Sequence, residues 1–357
     1  TAKRLGTTIP HLCWKDAPGY RADGNCRACM VEVEGERVLA ASCIRKPVPG
    51  MKVNTQDARS AAARRMVMEL LVTDQPQRSE AHDSRSPFLK WADSMGVELS
   101  RFPRDDSPRP DVSHPAMAVN LDACIHCNLC VRACREVQVN DVIGMAYRGP
   151  HEKVVFDFDD PMGASTCVAC GECVQACPTG ALMPKSIVDE KSGRGGRVAD
   201  REVHSVCPYC GVGCQITYKI RNDRIAWVEG RDGPANENRL CVKGRFGFDY
   251  VVNPERLTRP LIRLADKPKG LNIDPARPLT HFREASWKEA LDLAAQGLKR
   301  IRDEHGGRSL AGFGSAKCSN EEAYLFQKLV RTGFNCNNVD HCTRLCHASS
   351  VAALMET

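Results

Sequence analysis

The first part of the chain alternates apolar and polar residues, then changes to helical spacing. Val31–Gly35 and Arg37–Ala41 alternate on either side of a glycine, which predicts a β-hairpin. A helix over residues 57–73 is predicted by apolar residues at helical spacing, namely Ala61, Ala62, Met66, Leu70 and Leu71. We expect Arg64 and Arg65 to face solvent. These elements predict a small domain over residues 1–75.

Two stretches lack a hydrophobic period and interrupt the pattern. Residues 76–118 contain six prolines among many charges, which predicts a linker or strap with one short helix near Phe88–Met95. Residues 186–202 are charged and rich in glycine, which predicts a second linker. The segment between them, 119–185, is the predicted second domain.

The pattern changes again from residue 203. Ile216–Ile220 and Arg224–Val228 flank Asn222 and Asp223, a pair typical of a tight hairpin turn. We assign residues 203–258 to one domain that contains this hairpin.

Helices and strands alternate from about residue 280, which predicts an α/β domain over residues 259–357. Ser286 and Glu289 form a capping-box pattern at the start of a helix. Its apolar face would comprise Trp287, Ala290, Leu291, Ala294, Leu298 and Ile301. Leu310–Phe313 is the predicted buried strand, and Asn320–Thr332 the next helix.

Composition limits the class of protein. The chain has 357 residues, 26% of them charged, and a formal net charge of +6. This length predicts several domains, and the mild basic bias is not that of a nucleic-acid-binding protein. No apolar run approaches the length of a transmembrane helix. We expect a cytoplasmic protein. Because the chain begins at Thr1 and ends within a predicted helix, we expect both termini to be incomplete.

Cysteine spacing carries most of the chemical information. Sixteen of the 20 cysteines fall into four groups of four: Cys13/Cys26/Cys29/Cys43, Cys124/Cys127/Cys130/Cys134, Cys167/Cys170/Cys173/Cys177 and Cys207/Cys210/Cys214/Cys241. A disulfide scaffold is the alternative, but it is typical of small secreted chains. Tight C-x2-C steps in a long chain favour metal centres.

The second and third groups form an internal repeat, C-x2-C-x2-C-x3-C, which is the bacterial ferredoxin run. In that run the fourth cysteine ligates the other cluster. We therefore predict two crossed [4Fe–4S] sites, Cys124/Cys127/Cys130/Cys177 and Cys167/Cys170/Cys173/Cys134. Zinc is the alternative, but zinc prefers two separated C-x2-C pairs.

The outer two groups are less specific. The first has spacing x12, x2 and x13, which fits a [2Fe–2S] site, and a zinc ribbon is its alternative. Gly24 would let the backbone approach the sulfides. The last group has spacing x2, x3 and x26, which fits a [4Fe–4S] site, although zinc uses similar spacings.

Two segments resemble a known family. Val206–Cys214 and Leu240–Arg245 are similar to the N-terminus of molybdopterin oxidoreductases, which bind two molybdopterin guanine dinucleotides. The resemblance implies that Lys243 lies between the cluster and a pterin. The segment Asn337–Ser350 is similar to formate dehydrogenases, and the resemblance implies that Cys346 ligates Mo or W beside His347.

Residues 1–185 resemble the iron–sulfur arm shared by complex I, multi-cluster hydrogenases and NAD-dependent formate dehydrogenases. Such relatives often hold a further cluster by one histidine and three cysteines. Residues 44–123 contain no cysteine, so we expect that cluster to be absent and His82 and His114 to be surface histidines.

The resemblance implies the N-terminal part of the catalytic subunit of a NAD-dependent formate dehydrogenase. Formate would be oxidised to CO2, and electrons would pass through three [4Fe–4S] clusters and one [2Fe–2S] cluster. Because the chain has no G-x-G-x-x-G at a strand–helix junction, NAD and FMN would bind partner subunits of a hetero-oligomeric complex, alongside small iron–sulfur subunits. Cys318, Cys336 and Cys342 are expected to be core or pocket-wall thiols.

Three alternatives remain open at this point. The first is another pterin oxidoreductase, such as a nitrate reductase. The second is a non-catalytic electron-transfer subunit, against which Lys243 and Cys346 argue. The third is an iron hydrogenase, whose catalytic-cluster motifs we do not find after the repeat.

Overall fold

The computed structural model describes residues 2–103, 108–189, 195–270, 273–274 and 276–356. The chain forms two compact units. The first contains residues 1–205 and 214–247, and the second contains 206–213 and 248–357. The secondary structure of the chain mixes α+β and α/β regions, as the sequence predicts.

The first unit begins with a three-stranded antiparallel sheet. Strand β1 (Met30–Val33) lies between β2 (Ala40–Ala41) and β3 (Val53–Asn54). Met30 pairs with Ala41, so the predicted hairpin is present. The sheet packs against helix α1, Ala58–Thr73, whose first turn is capped by the Asp57 side chain.

Helix α1 forms where the pattern predicts it but buries the other face. Ser60, Arg64 and Met68 are its buried residues, whereas Met66 and Leu70 are exposed. The prediction that Arg64 faces solvent is therefore wrong. Its guanidinium donates hydrogen bonds of 2.8 Å to the carbonyl oxygens of Met30 and Thr55. The guanidinium of this buried arginine is therefore satisfied by two backbone carbonyls, which an apolar side chain could not bind.

The strap after α1 is packed rather than loose. Helix α2 (Pro87–Ser94) begins at Ser86, whose hydroxyl accepts from the Leu89 N–H, and this is the predicted short helix. Phe88 and Ala92 are fully buried in the main core of the unit. The strap thereby joins the first sheet to the cysteine-repeat region.

The repeat region is built from short elements around its two motifs. They are β4 (Met117–Val119), α3 (Leu129–Arg132), β5 (Ile143–Ala146), β6 (Lys153–Phe156), α4 (Glu172–Ala176) and β7 (Leu182–Pro184). β4 pairs antiparallel with β7, and β5 with β6. The first and last strands of the region are thus neighbours, which brings the two motifs into one core.

A second sheet completes the first unit. It comprises β8 (Arg201–Val206), β9 (Gln215–Arg221) and β10 (Arg224–Gly230), followed by helix α5 (Val242–Phe246). Asn222 and Asp223 have φ of 52° and 56°, the left-handed conformation that a type I′ turn needs. The hairpin predicted from this pair is confirmed.

The second unit contains the predicted α/β region. Its elements are β11 (Leu261–Arg263), β12 (Phe282–Glu284), α6 (Trp287–His305), β13 (Gly312–Gly314), α7 (Asn320–Lys328), β14 (Val339–His341), α8 (Thr343–Cys346) and α9 (Ala348–Glu356). β13 and β14 are parallel and are connected through α7. This strand–helix–strand crossover is the βαβ unit from which parallel sheets are built.

The cap of α6 differs from its prediction. The Ser286 hydroxyl accepts from the Glu289 N–H, but the Glu289 carboxylate binds Arg283 instead of returning to the cap. The reciprocal capping box is at α7, between Ser319 and Glu322. The apolar face of α6 is largely exposed, with Trp287 at 68%.

None of the described helices is long and apolar enough to cross a membrane.

The buried Arg64 gives a test of the first domain. We expect Arg64→Ala to lower the local unfolding free energy by about 2 kcal/mol, because two half-buried carbonyls lose a charged donor. Hydrogen exchange of the α1 and β1 amides measures this value. The matched variant Arg65→Ala, on the exposed side of α1, should change it by less than about 0.5 kcal/mol. Equal effects of the two variants would contradict the burial of Arg64.

Candidate metal centres

The four cysteines of the first group come together in one loop cluster. Cys13 interacts with Cys26 and Cys43, and Cys29 interacts with Cys43. Cys13, Cys26 and Cys29 are buried, whereas Cys43 is half-buried. Hydrogen bonds from Cys26 and Cys43 lower the pKa of Cys13, and one from Cys43 lowers the pKa of Cys29, whereas the same contacts raise the pKa of Cys26 and Cys43.

The backbone of this loop is shaped for close approach to the sulfurs. Gly24 has φ of +70°, and a Cβ there would lie 2.9 Å from the Ile44 side chain. Arg27, directly after Cys26, also has positive φ. Backbone N–H groups point at the sulfurs of Cys13, Cys26 and Cys29. Hydrogen bonds to sulfur stabilise a thiolate, the form that binds iron.

The two repeated motifs have the same turn geometry. His126 and Asn128 in the first motif have φ of 51° and 61°, and Ala169 and Gly171 in the second have 55° and 68°. The His126 N–H donates to Cys124 Sγ at 3.4 Å, and the Ala169 N–H donates to Cys167 Sγ at 3.3 Å. Left-handed residues turn these amides inward, so each motif wraps its N–H groups around a common centre.

The fourth cysteine of each motif lies with the other motif. Burial raises the pKa of each of Cys124, Cys127 and Cys130, and the neighbouring Cys177 raises all three further. These four thiols line one cavity.

The second motif shows the same arrangement with Cys134. Burial is the main cause that raises the pKa of Cys167, Cys170 and Cys173, and Cys134 raises each of them further. The Val142 N–H donates to Cys134 Sγ at 3.3 Å. The structure therefore brings together each crossed set that the spacing predicts, and their role as ligands stays a prediction.

The donor sets fit iron–sulfur clusters. Four thiols lie together in the Cys13 group and in each of the two crossed sets, and backbone amides donate to their sulfurs. Thiolates are the ligands that iron–sulfur clusters use. Among the described residues, no three His, Cys, Asp or Glu side chains converge on a position for a single metal ion. In a [4Fe–4S] cluster each cysteine binds its own iron, and in a [2Fe–2S] cluster two cysteines bind each iron, so the four sulfurs of a cluster do not converge on a single ion.

The last group divides between the two units. Cys207 and Cys210 belong to the second unit, whereas Cys214 and Cys241 belong to the first. In the first unit, the buried Asn236 joins the segments that carry Cys214 and Cys241. Its side chain accepts from the Gln215 N–H at 2.9 Å and donates to the Arg239 carbonyl at 3.0 Å. This group remains a prediction from spacing.

Lys243 follows Cys241 in the first turn of α5 and is exposed. Its predicted position beside a pterin stays a prediction.

Cys346 and His347 lie just beyond the carboxyl end of β14. Cys346 is the last residue of α8 and is exposed, and its Sγ lies 4.0 Å from His347 Nε2. The carboxyl ends of β13 and β14 border an open cleft. Ligands of parallel α/β sheets bind at this edge.

Of the other three cysteines of the second unit, Cys318 and Cys336 take the expected positions, and the expectation for Cys342 is wrong. Cys318 lines the cleft, and Cys336 packs against the small core around Leu310. Cys342 is exposed, and its Sγ accepts from the Ala316 N–H at 3.2 Å.

The two histidines of the strap region are not on the surface, so that expectation is wrong. His82 and His114 are 6% and 5% exposed. His82 Nε2 lies 2.8 Å from an oxygen of Asp122, and His114 Nδ1 accepts from the Ala116 and Met117 N–H groups. Each imidazole is buried because a fixed polar partner replaces water.

Sequence reasoning missed several buried polar residues near the cysteines. Glu172 is 1% exposed and accepts from the Tyr20 hydroxyl at 2.8 Å. Arg132 and Arg245 are each 3% exposed. Position beside a cysteine motif would not have identified them, because Arg135, directly after Cys134, is exposed.

The crossed arrangement predicts which cysteine substitutions act alike. Cys177→Ser should remove the same electron paramagnetic resonance (EPR) signal as Cys124→Ser, since both line one site. Cys134→Ser should instead match Cys167→Ser. Iron content and EPR of the reduced protein measure this. If Cys177→Ser matched Cys167→Ser, the ligands would not cross.

Four known family models match successive parts of the chain. Residues 1–58 match a 2Fe-2S iron–sulfur cluster binding domain, and residues 123–181 match a 4Fe-4S dicluster domain. Residues 200–253 match the molybdopterin oxidoreductase Fe4S4 domain, and 256–357 match the molybdopterin oxidoreductase domain.

Curated relatives match nearly the whole chain. The NADPH-Fe(3+) oxidoreductase subunit alpha of Geobacter sulfurreducens is 34% identical, covering 99% of this chain and 39% of its own length. A Staphylococcus haemolyticus protein provisionally named a formate dehydrogenase is 29% identical, covering 99% of this chain and 38% of its own. The chain thus spans about two fifths of the length of these relatives.

Among solved structures, an NAD+-reducing [NiFe]-hydrogenase in the H2-reduced state aligns at 28% identity and a TM-score of 0.45. The alignment covers 52% of this chain and 78% of that one. The family matches thus give this chain a [2Fe–2S] domain and a [4Fe–4S] dicluster domain, followed by the Fe4S4 and molybdopterin domains found in molybdopterin oxidoreductases.

Proposed function

We propose that this chain is the N-terminal part of a formate-oxidising subunit. It would oxidise formate to CO2 and deliver two electrons, one at a time, through iron–sulfur clusters to a NAD-reducing partner subunit. Names of relatives support a formate substrate, and the domain matches support the cofactors. The reaction releases CO2, one proton and two electrons, and reduction of NAD+ consumes the electrons and a proton.

The observation that carries the proposal is the position of Cys346 and His347. They follow β14 at the carboxyl edge of a parallel strand pair, and the last residue of that strand, His341, lines the cleft. The Cys346 thiol is exposed, so it is accessible to a metal ion. A Mo or W ion carried by two pterin dithiolenes would supply the two-electron oxidation of formate here.

The side chains of this segment have distinct roles in the proposal. Cys346 would hold the metal. His347, whose Nε2 lies 4.0 Å from that sulfur, would orient formate and take up the proton. Lys243 would lie beside a pterin in the electron path.

The electrons would leave through the Cys207 group, the two crossed sites and the Cys13 group in turn. The cofactor set is then one [2Fe–2S] cluster, three [4Fe–4S] clusters and a bis-molybdopterin guanine dinucleotide. FMN and NAD would bind partner subunits in a cytoplasmic hetero-oligomer. The designation of the Geobacter relative as a subunit supports a multi-subunit assembly.

A second candidate function comes from that same relative. It is named an NADPH-Fe(3+) oxidoreductase subunit. Its sequence identity to this chain is 34%, against 29% for the Staphylococcus protein. In this alternative the chain passes electrons from a nicotinamide-oxidising partner toward an acceptor and does not oxidise formate.

Cys346→Ala in the native complex tests the proposal. Formate-dependent NAD+ reduction should fall below about one hundredth of the wild-type rate, since loss of even an indirect metal partner costs up to about 100-fold. Cys342→Ala is the matched control, because Cys342 is another exposed cysteine of the same segment. It should keep its activity.

Metal analysis separates the two candidate functions. The proposal predicts Mo or W in the wild-type complex and its loss in Cys346→Ala. Wild-type complex that contains iron but neither metal, or Cys346→Ala that retains formate activity, would contradict it.

A further inference from the structure

Arg132 connects the first cysteine group to the first repeated motif. It lies in α3, between Cys130 and Cys134, and is 3% exposed. One nitrogen, Nη2, donates to the carbonyl of Cys13 at 2.5 Å and to the carbonyl of Cys127 at 3.2 Å. A single atom therefore touches the backbone of a cysteine from each of two neighbouring sites.

The rest of the Arg132 guanidinium is also fixed. Nη1 donates to the Arg21 carbonyl at 2.5 Å, and Nε lies 3.2 Å from the Asp23 carboxylate and 3.3 Å from the Asn128 carbonyl. A buried charge is tolerated only when its partners are complete, and the five donors of arginine form a rigid fork. Lysine carries the same charge but cannot reproduce this geometry.

Arg245 makes a related connection on the other side of the repeat region. Its Nε donates to the Cys170 carbonyl at 2.6 Å, which ties that carbonyl to α5, the helix whose N-cap is Cys241. Nη2 pairs with the buried Glu172 at 3.1 Å. A Cβ at Gly171 would lie 2.2 Å from the Arg245 side chain, so a residue without a side chain is needed there.

We propose that Arg132 and Arg245 are positioning residues for electron transfer between clusters. Each holds the backbone of a cysteine from one site against that of a cysteine from the next. The inference rests on the proposed occupancy of the cysteine groups by clusters. Each step moves one electron between two sites, with no bond broken and no proton transferred.

Two physical effects follow from this geometry. A short path of covalent and hydrogen bonds joins the ligands of adjacent sites, which favours electronic coupling between them. A buried positive charge beside two sites stabilises the more negative, reduced state of both, so it raises both reduction potentials. The fixed fork supplies the first effect, and the charge alone supplies the second.

Arg132→Gln and Arg132→Lys in the native complex separate the two effects. Reduction potentials are measured by dithionite titration followed by EPR. Electron exchange between the clusters is measured after flash photoreduction with a deazaflavin, so neither readout needs formate activity.

Arg132→Gln should shift the potentials of the [2Fe–2S] cluster and the adjacent [4Fe–4S] cluster to more negative values. It should also slow the electron exchange between these two clusters by about tenfold. Loss of a hydrogen-bond partner of a metal ligand typically has an effect of this size. Arg132→Lys should leave both potentials near wild type but slow the exchange. If Arg132→Gln loses iron, the exchange rate of Arg132→Lys tests the positioning role instead.

Arg135→Gln is the matched control. Arg135 is in the next turn, with its side chain 56% exposed and paired with Asp141. It should change neither the potentials nor the exchange rate of the Cys13 and Cys124 sites.

Unchanged exchange in both Arg132 variants, at full iron content, would overturn the positioning role while leaving the cluster assignment intact. A wild-type protein without a [2Fe–2S] signal would overturn the cluster assignment and the positioning role together.

Discussion

Backbone N–H groups directed at cysteine sulfur are the constraint on which the first unit depends. Four residues of the repeat, two in each motif, adopt the left-handed conformation that turns these amides inward. Three of them are not glycine, so each carries a conformational cost that the surrounding structure must offset. Bound iron would offset this cost most directly, because thiolate–iron bonds would fix the same loops from inside.

The two motifs also depend on each other through their fourth cysteines. Cys134 and Cys177 each complete the set of the other motif, so neither half forms a site alone. β4 and β7 pair the beginning and end of this region, which fixes the distance between the halves. Arg132 and Arg245 extend the same principle outward, since each ties a motif to the site before or after it.

Sequence patterns identified the cysteine sets and the local turns because both depend on short-range chemistry. Asn222 and Asp223 predict their hairpin since few residues tolerate positive φ. Burial was harder to predict. Charged side chains usually face solvent, so the sequence predicts an exposed Arg64. The Met30 carbonyl that binds its guanidinium lies 34 residues away in sequence, and spacing alone does not reveal that contact. His82 and His114 were misassigned for the same reason, since their partners could not be read from spacing.

Helical periodicity likewise predicted where α1 and α6 occur but not which surface is covered. Periodicity reports an apolar face, and tertiary packing decides whether it is buried. Met66 and Trp287 lie on such faces and are exposed in the described chain. The candidate site at Cys346 was accessible to sequence reasoning only through resemblance, because a single cysteine beside a histidine has no specific spacing.

Anaerobic addition of formate to the native complex, without nicotinamide, tests the central claim most directly. EPR follows the reduction of each cluster type. The account predicts that formate alone reduces both [4Fe–4S] and [2Fe–2S] clusters and produces a Mo(V) or W(V) signal. Clusters that stay oxidised with formate but are reduced by NADPH would contradict it and would support the alternative electron-transfer role.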